Sequence, residues 1–199
     1  DLPRFDAFRP GHVTPAIDTL LDAARQVVQA LEAPAAQVEW DDFVVPLENA
    51  AEQLSRAWSV VGHLNAVVDT PELRAVYNEN QPKITEFWTE LGQNLALFDK
   101  YKALKASPAY AGLSSTRKKI IENALRDFRL GGAELPDAQK SRFAEIQEQQ
   151  AALSTKFSEN VLDATNAYEL LVDDVARLAF DAEFAGYVIT IAADRFDTA

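Results

Sequence analysis

The sequence predicts a mainly α-helical protein: an antiparallel multi-helix bundle of long helices, followed by a short C-terminal pair of β-strands. Two observations support this prediction. Up to Asn166, apolar residues recur at intervals of three, four or seven, which places them on one face of a helix. After Asn166 the pattern changes to short β-branched and aromatic runs, which are typical of strands. We therefore expect a helical domain at residues 1–167 and a β-containing segment at residues 168–199.

The first two helices are predicted from their start signals and apolar stripes. Thr14 is a suitable N-cap, and Pro15 suits the first position of a helix. A second helix can begin at Pro46, with "EWDDF" as the lead-in. The stripes comprise Ile17, Leu20, Leu21, Ala24, Val27, Val28 and Leu31 in the first helix, and Leu47, Leu54, Trp58, Val61, Leu64 and Val68 in the second.

A third helix is predicted from Thr70, its N-cap, towards Leu104. Pro82 falls inside its apolar stripe. Because proline lacks a backbone N–H and clashes with the preceding turn, we expect a kink or a break near Asn80. "ASPAYAGLSS" then reads as a connection.

The fourth helix, capped by Ser114 or Ser115, ends at Gly131, and the fifth begins at Pro136. The fifth carries a nearly heptad stripe that Gln150 interrupts. That interruption favours packing against several helices over an extended two-stranded coiled coil. The stripe comprises Phe143, Ile146, Leu153, Phe157, Val161, Ala164 and Tyr168.

The predicted strands are "AYELLVDD" and "GYVITIA", separated by "VARLAFDAEFA". Two strands alone are marginally stable, so we expect their sheet partners to lie beyond Ala199. The chain begins with Asp1 and contains no methionine. We therefore expect it to be part of a longer protein.

Charge and composition exclude several classes of function. The net charge is −12 with a pI near 4.6, which argues against nucleic acid and anionic membrane surfaces as partners. The basic cluster "TRKKI", Thr116–Ile120, is interpreted as a solvated helix face. With no cysteine, disulfides, thiolate zinc sites and cysteine nucleophiles are excluded. A cytoplasmic location is expected, and no apolar run approaches the ~18 residues of a membrane span.

The glycine pair in "LRDFRLGGAELP" resembles a phosphate-binding loop only superficially. Such loops place glycines before a helix, where free N–H groups face the anion. Gly131 and Gly132 instead follow a helix, where carbonyl groups and the negative end of the helix dipole repel phosphate. We interpret Gly131 as a left-handed C-terminal cap, supported by Arg126 and Arg129 in the last turn.

The two histidines do not form a recognisable metal motif. A zinc-peptidase helix needs histidines at positions i and i+4 with a glutamate between them, and His12 and His63 lie far apart. A di-iron bundle needs Glu-x-x-His, but Arg9 and Val60 occupy the glutamate positions. We expect a loop or capping role for His12 and a hydrogen-bonded core or interface position for His63.

The remaining residues with chemical potential are acids and tryptophans. Acidic pairs can hydrolyse glycosides, but no spacing shows that any pair converges, so we expect solvated side chains. We expect Trp40, Trp58 and Trp88 to pack in the core rather than to form a ligand platform. We predict no catalytic or metal-ligating residue in this chain. The acids considered are Asp41, Asp42, Glu145, Glu148, Glu159, Asp163, Asp173 and Asp174.

Four stretches resemble the N-terminal part of the bacterial branch of the thimet-oligopeptidase (M3) family of zinc peptidases: "LPRFDAFRPGHVTPAID", "WSVVGHLNAVVDTPELR", "ENALRDFRLGGAELP" and "LSTKFSENVLDATNAYEL". The resemblance covers residues 2–174 and most of 186–199. "DFRLGGAELP" and "FSENVLDATNAYEL" are its most specific pieces. Near Ala179–Asp181 the chain is shorter than the family pattern, so the connection there is expected to differ.

The resemblance implies a function for a longer parent protein rather than for this chain alone. The family is mostly helical, with two halves flanking a deep channel and zinc bound in the C-terminal half by His-Glu-x-x-His and a downstream glutamate. None of these ligands matches a residue here, so zinc is expected in the parent's catalytic domain. The implied role of this chain is a channel wall that admits short peptides. The alternative is a free-standing helical module that binds a protein or peptide without catalysis.

Overall fold

A computed structural model of the chain describes residues 3–169. The chain divides into two compact units, Asp1–Thr155 and Lys156–Ala199. The predicted strand pair lies outside the described residues except for positions 167–169, which are the end of a helix and two residues without regular structure. The region "VARLAFDAEFA" also lies outside them.

The described residues are mainly helical, which confirms the predicted helical bundle. Short 3₁₀ turns at Phe5–Ala7 and Pro10–His12 precede the first helix, and a π-helical turn at Trp40–Val44 precedes the second. The α-helices are α1 (Val13–Glu32), α2 (Val45–Val67), α3 (Pro71–Gly92), α4 (Leu95–Ala106), α5 (Pro108–Ala111), α6 (Ser115–Gly131) and α7 (Asp137–Ala167).

Two apolar clusters form the core of the unit Asp1–Thr155. The first joins α1, α2 and α3 through the stripes predicted for them; its buried members are Val13, Ile17, Leu21, Ala24, Leu54, Val61, Ile84 and Phe87. The second joins the ends of α1 and α2 to α4 and α6; it comprises Leu31, Phe43, Val44, Leu47, Leu97, Phe98, Tyr101, Leu104, Ile121, Leu125, Phe128 and Ala133. Burial of these apolar side chains is the main force that holds the helices together.

Several predicted helix starts are confirmed by their capping hydrogen bonds. The Leu73 N–H donates to Thr70 Oγ1 over 3.3 Å at the start of α3. The Arg117 N–H donates to Ser114 Oγ over 3.3 Å at the start of α6. The prediction for Thr14 is wrong, because α1 begins at Val13. The Thr14 hydroxyl instead accepts a 2.8 Å hydrogen bond from Asn80 Nδ2.

The predicted third helix is two helices, α3 and α4. The chain leaves the helix after Gly92, and Asn94 caps α4 by accepting a 3.0 Å hydrogen bond from the Leu97 N–H. The predicted break near Asn80 is absent, since α3 continues through Pro82 to Gly92. Buried residues on both sides of Pro82, Leu73 before it and Ile84 and Phe87 after it, hold this helix against the core.

The glycine pair ends α6, as predicted, but the left-handed residue is Gly132 and not Gly131. Gly132 has φ 93°, and Gly131 is the last helical residue. The Gly132 N–H donates to the Arg129 carbonyl over 3.2 Å, and the Ala133 N–H donates to the Phe128 carbonyl over 3.0 Å. This pair of bonds is the Schellman arrangement that closes many helix C-termini.

The apolar stripe of α7 differs from the prediction that it packs against several helices. No residue of α7 is fully buried, and Ile146, Leu153, Phe157 and Val161 are exposed among the described residues. Leu153 retains 68% of the accessible surface of the whole residue. Two hydrogen bonds hold the start of α7. Gln93 Nε2 donates to the Lys140 carbonyl over 3.1 Å, and Lys140 Nζ donates to the Gln93 carbonyl over 3.1 Å.

Candidate functional site

A groove of about 550 Å³ opens between α2, α3, α4 and α6, entirely within the unit Asp1–Thr155. Its walls are mostly apolar and include three carboxylates. The lining residues are Leu47, Glu48, Ala51, Glu52, Ser55, Trp88, Leu91, Gly92, Tyr101, Ala124, Asp127, Phe128 and Gly131. This groove is the candidate functional site of the described residues.

Two glycines bring the walls of the groove together. Gly92 ends α3 and Gly131 ends α6, and a Cβ added to Gly131 would lie 2.8 Å from the Gly92 carbonyl oxygen and 2.9 Å from its Cα. Such distances are too short for real carbon atoms, and the atoms in the way belong to the backbone. The close approach of α3 and α6 therefore requires glycine at position 131.

Tyr101 of α4 forms the floor of the groove. The residue is 1% exposed, and its ring packs 4.8 Å from the Phe43 ring and 5.6 Å from the Phe128 ring. Its hydroxyl has no hydrogen-bond partner among the described residues. Burial and the nearby charge of Glu48 both raise the pKa of this hydroxyl, so it stays protonated at neutral pH.

The three carboxylates differ in their partners. Glu52 pairs with Arg56 over 3.6 Å, and Asp127 pairs with Arg126 over 2.7 Å. Glu48 has no ion pair within the part of the chain that the structure describes. Although the residue as a whole is exposed, its carboxyl is partly buried, and this burial raises its pKa.

The predicted core positions of the tryptophans are only partly correct. Trp58 is half-buried and stacks on Tyr77 with ring centroids 4.8 Å apart. Trp40 is also half-buried, and the Arg117 guanidinium lies 4.8 Å from the centre of its ring. Trp88 is 36% exposed and lines the groove, where it packs edge-on against Phe87.

Neither histidine lies in the groove. His12 is exposed at the N-cap position of α1 but makes no side-chain capping bond, so its predicted capping role is wrong in that detail. His63 is exposed on α2, where its ring lies 5.7 Å from the Phe5 ring. The core alternative predicted for His63 is therefore wrong, because this part of α2 faces the N-terminal 3₁₀ turn and solvent; the interface alternative stays a prediction.

The acidic residues considered in the sequence do not converge on a metal site. Within residues 3–169, no group of three or more histidine, aspartate or glutamate side chains has an arrangement that could hold a metal ion. The described residues therefore do not fit the zinc that the resemblance implies. Asp173 and Asp174 lie outside the described residues.

The sequence analysis missed the groove because its residues come from four helices. Glu48 was not distinguished from other surface acids, and Tyr101 was not assigned a role. One local signal was present: Gly92 followed by Asn94 combines a helix stop with a helix start. That signal separates α3 from α4, but the approach of the end of α3 to Gly131 is seen only in the structure.

Comparison with known proteins assigns the chain to a family. The family described as "Neurolysin/Thimet oligopeptidase, N-terminal domain" matches residues 17–140, which is more than half of the 199 residues. The chain belongs to this family. The matched region includes most of α1, all of α2 to α6 and the start of α7, and thus the whole groove. The resemblance noted in the sequence is therefore confirmed.

Individual relatives agree with this assignment. The chain is 40% identical to oligopeptidase A of Haemophilus influenzae, over 89% of this chain and 26% of the relative. It is 38% identical to oligopeptidase A of Escherichia coli, over 90% of this chain and 26% of that relative. It is 39% identical to the probable cytosolic oligopeptidase A of Arabidopsis thaliana, over 87% of this chain and 25% of that relative. The chain thus spans about a quarter of the length of these relatives.

None of the helices in the described part of the chain combines the length and apolar character needed to cross a bilayer.

Proposed function

We propose that this chain is the N-terminal, non-catalytic helical part of a zinc-dependent oligopeptidase that hydrolyses short peptides. The match of residues 17–140 to an N-terminal domain family is the observation that supports this proposal most directly. The relatives that share it are named oligopeptidase A, and the chain aligns with only about a quarter of each. The remaining three-quarters leaves ample length for a separate catalytic domain.

The proposed role of the chain is to form one wall of a substrate channel. A wall acts by excluded volume, so it needs rigid packed helices and no reactive side chain. Two buried clusters between the helices provide that rigidity. The wall would exclude folded proteins and admit short unstructured peptides, while zinc and the catalytic base would belong to the C-terminal domain of the parent.

The proposed partner of this chain is its own C-terminal catalytic domain, with residues 168–199 leading towards it from the helical domain at 1–167. The exposed apolar residues of α7 support such a partner, because large exposed apolar surfaces usually mark interfaces. A cytoplasmic location is proposed from the absence of cysteine and from the Arabidopsis relative that is named cytosolic.

Peptide hydrolysis by the parent and by the 199-residue chain tests the proposal. The parent is expected to cleave a short unstructured peptide, to lose this activity with a chelator, and to spare the same sequence inside a folded protein. The purified 199-residue chain is expected to show no cleavage. Chelator-sensitive hydrolysis that persists in the highly purified chain would contradict a non-catalytic role.

A further inference from the structure

We propose that the groove between α2, α3, α4 and α6 binds the side chain of an arginine or lysine residue in a short peptide. The choice of a peptide as the occupant rests on the proposed function, whereas the preference for a basic side chain comes from the groove itself. Three features define that preference: an unpaired carboxylate, the hydroxyl of a buried tyrosine that has no hydrogen-bond partner among the described residues, and an exposed tryptophan beside an apolar floor.

The charge of the groove is complementary to a cation. Its lining contains three carboxylates and no lysine or arginine. Arg56 and Arg126 neutralise Glu52 and Asp127 respectively, which leaves Glu48 without an ion pair among the described residues. A guanidinium or ammonium group beside Glu48 would supply the missing positive charge and form a charge-assisted hydrogen bond.

The hydroxyl of Tyr101 provides an acceptor on the floor of the same groove. A phenol both donates and accepts hydrogen bonds, so the Tyr101 hydroxyl can accept one from a ligand that enters the groove. Glu48 lies close enough for its charge to affect the pKa of this hydroxyl. Both residues line the groove, and the proposal places the donors of one cationic head group between the Glu48 carboxylate and the Tyr101 oxygen.

The rest of the groove suits the remainder of a basic side chain. Trp88 retains 36% of its surface, and a tryptophan ring attracts a cation placed over its face. The apolar side chains of Leu47, Leu91 and Phe128 line the groove and match the methylene groups of lysine or arginine, which bury readily beneath a charged head group.

The helix ends around the groove have the same electrostatic preference. Leu91 and Gly92 belong to the last turn of α3, and Phe128 and Gly131 belong to the last turn of α6. The C-terminal end of a helix carries a partial negative charge. At α3 this charge is partly offset by Lys140, whose Nζ donates to the Gln93 carbonyl. At α6 it is partly offset by Arg129 in the last turn, so the helix ends make a smaller contribution than Glu48.

Binding of two matched peptides tests the proposal. One is a blocked pentapeptide, acetyl-Gly-Ala-Arg-Ala-Gly-amide, and the other replaces arginine with citrulline, which has nearly the same shape without the charge. Titration calorimetry and NMR chemical shifts are measured on the 199-residue chain and on the parent, the latter with its activity blocked by chelator. The arginine peptide is expected to bind both proteins and to shift the indole resonance of Trp88, and citrulline is expected to bind at least about tenfold more weakly.

Variants locate the binding within the groove. Glu48→Gln is expected to weaken binding of the arginine peptide about tenfold, and Tyr101→Phe about threefold. Glu79→Gln is the matched control, because it removes the same charge from an exposed position of α3 outside the groove. Glu79→Gln is expected to leave binding unchanged. Helical circular dichroism verifies that each variant is folded.

Three results would overturn the proposal. Equal binding of the arginine and citrulline peptides would show that charge is not recognised. Equal effects of Glu48→Gln and Glu79→Gln would show general attraction to an acidic protein. Binding to the 199-residue chain that is lost in the parent would show that the parent's own side chain fills the groove. None of these results affects peptide hydrolysis by the parent, so the proposed function is tested separately.

Discussion

Glu48 is the residue at which stability and the proposed binding make opposite demands. Burial raises the pKa of its carboxyl, which means that the folded chain disfavours the charged form relative to the unfolded chain. A residue chosen for stability alone would be neutral at this position. A retained charge at a stability cost is a common property of binding sites.

The pH dependence of stability tests this interpretation. Because the pKa of Glu48 in the folded chain lies above its ordinary value of 4.5, its ionisation opposes folding as the pH rises through the folded pKa. Glu48→Gln is therefore predicted to unfold at the same or a higher temperature than the unmodified chain at pH 7. The difference should shrink as the pH falls below 4.5, where Glu48 is protonated in both states.

Thermal unfolding followed by circular dichroism at both pH values measures this difference. Glu52, Asp127 and Tyr101, the other titratable groups of the groove, are present in both proteins and cancel in the comparison. A lower unfolding temperature for Glu48→Gln at pH 7 would show that Glu48 stabilises the fold, and would contradict a site maintained for binding.

Asn80 is a buried polar residue that connects α3 to another helix. It is fully buried, and its Nδ2 donates 2.8 Å hydrogen bonds to Thr14 Oγ1 and to the Val76 carbonyl. These bonds tie α3 to the start of α1 just before Pro82. The sequence shows where Pro82 lies, but it does not show the hydrogen bond between Asn80 and Thr14. A kink or a break was therefore predicted where the helix continues.

At the scale of elements, the ends of the helices were predictable where a capping side chain decides them. Thr70 and Ser114 act as predicted because each cap bonds to a backbone N–H three residues later. Gly131 and Gly132 are both glycine, so the sequence does not show which one adopts the left-handed conformation. The structure places the left-handed conformation at Gly132 and the close contact with Gly92 at Gly131, and that contact depends on how α3 and α6 cross.

Replacement of Gly131 by alanine tests the crossing of α3 and α6. The added Cβ would lie 2.8 Å from the Gly92 carbonyl oxygen, so the helices must separate. Gly131→Ala is predicted to lower the free energy of unfolding by about 1–3 kcal/mol, the usual cost of overpacking. Gly62→Ala is the matched control: it lies within α2 with nothing within 4 Å of the added Cβ, and should stabilise the chain by about 0.5–1 kcal/mol.

Chemical denaturation of the unmodified chain and the two variants measures both changes in the free energy of unfolding. Because helix propensity favours alanine at either position, opposite signs would isolate the steric effect at Gly131. Equal stabilisation by both substitutions would mean that α3 and α6 do not approach as closely as described.

At the scale of the whole molecule, the helical class and the family could be predicted, but the groove could not. Periodic apolar residues fix which face of each helix is buried. The groove depends instead on Glu48, Trp88, Tyr101 and Phe128 from four helices, and on the angles at which those helices pack. One sequence does not contain those angles, so an ordinary surface glutamate and a core-like tyrosine gave no signal of a site.

The exposed face of α7 leads to a prediction that distinguishes the chain from its parent. Leu153 is 68% exposed, so Leu153→Glu is predicted to change the stability of the 199-residue chain by no more than about 0.5 kcal/mol. In the parent, where the catalytic domain is proposed to cover this face, burial of the new charge should cost about 1–3 kcal/mol.

Gln149→Glu, one turn earlier and also exposed, is the control that adds the same charge next to the stripe. Unfolding of the chain and of the parent, with and without each substitution, gives the comparison. A parent that tolerates Leu153→Glu as well as the isolated chain does would show that α7 is not an interface.

The most direct test of the central claim is to read the parent gene beyond Ala199. The account predicts a continuing reading frame that encodes His-Glu-x-x-His and a downstream glutamate, the zinc ligands and base that residues 3–169 do not supply. That result would make this chain the non-catalytic N-terminal part of a zinc oligopeptidase. A stop codon, or a continuation without the motif, would contradict the account and favour a free-standing helical binding module.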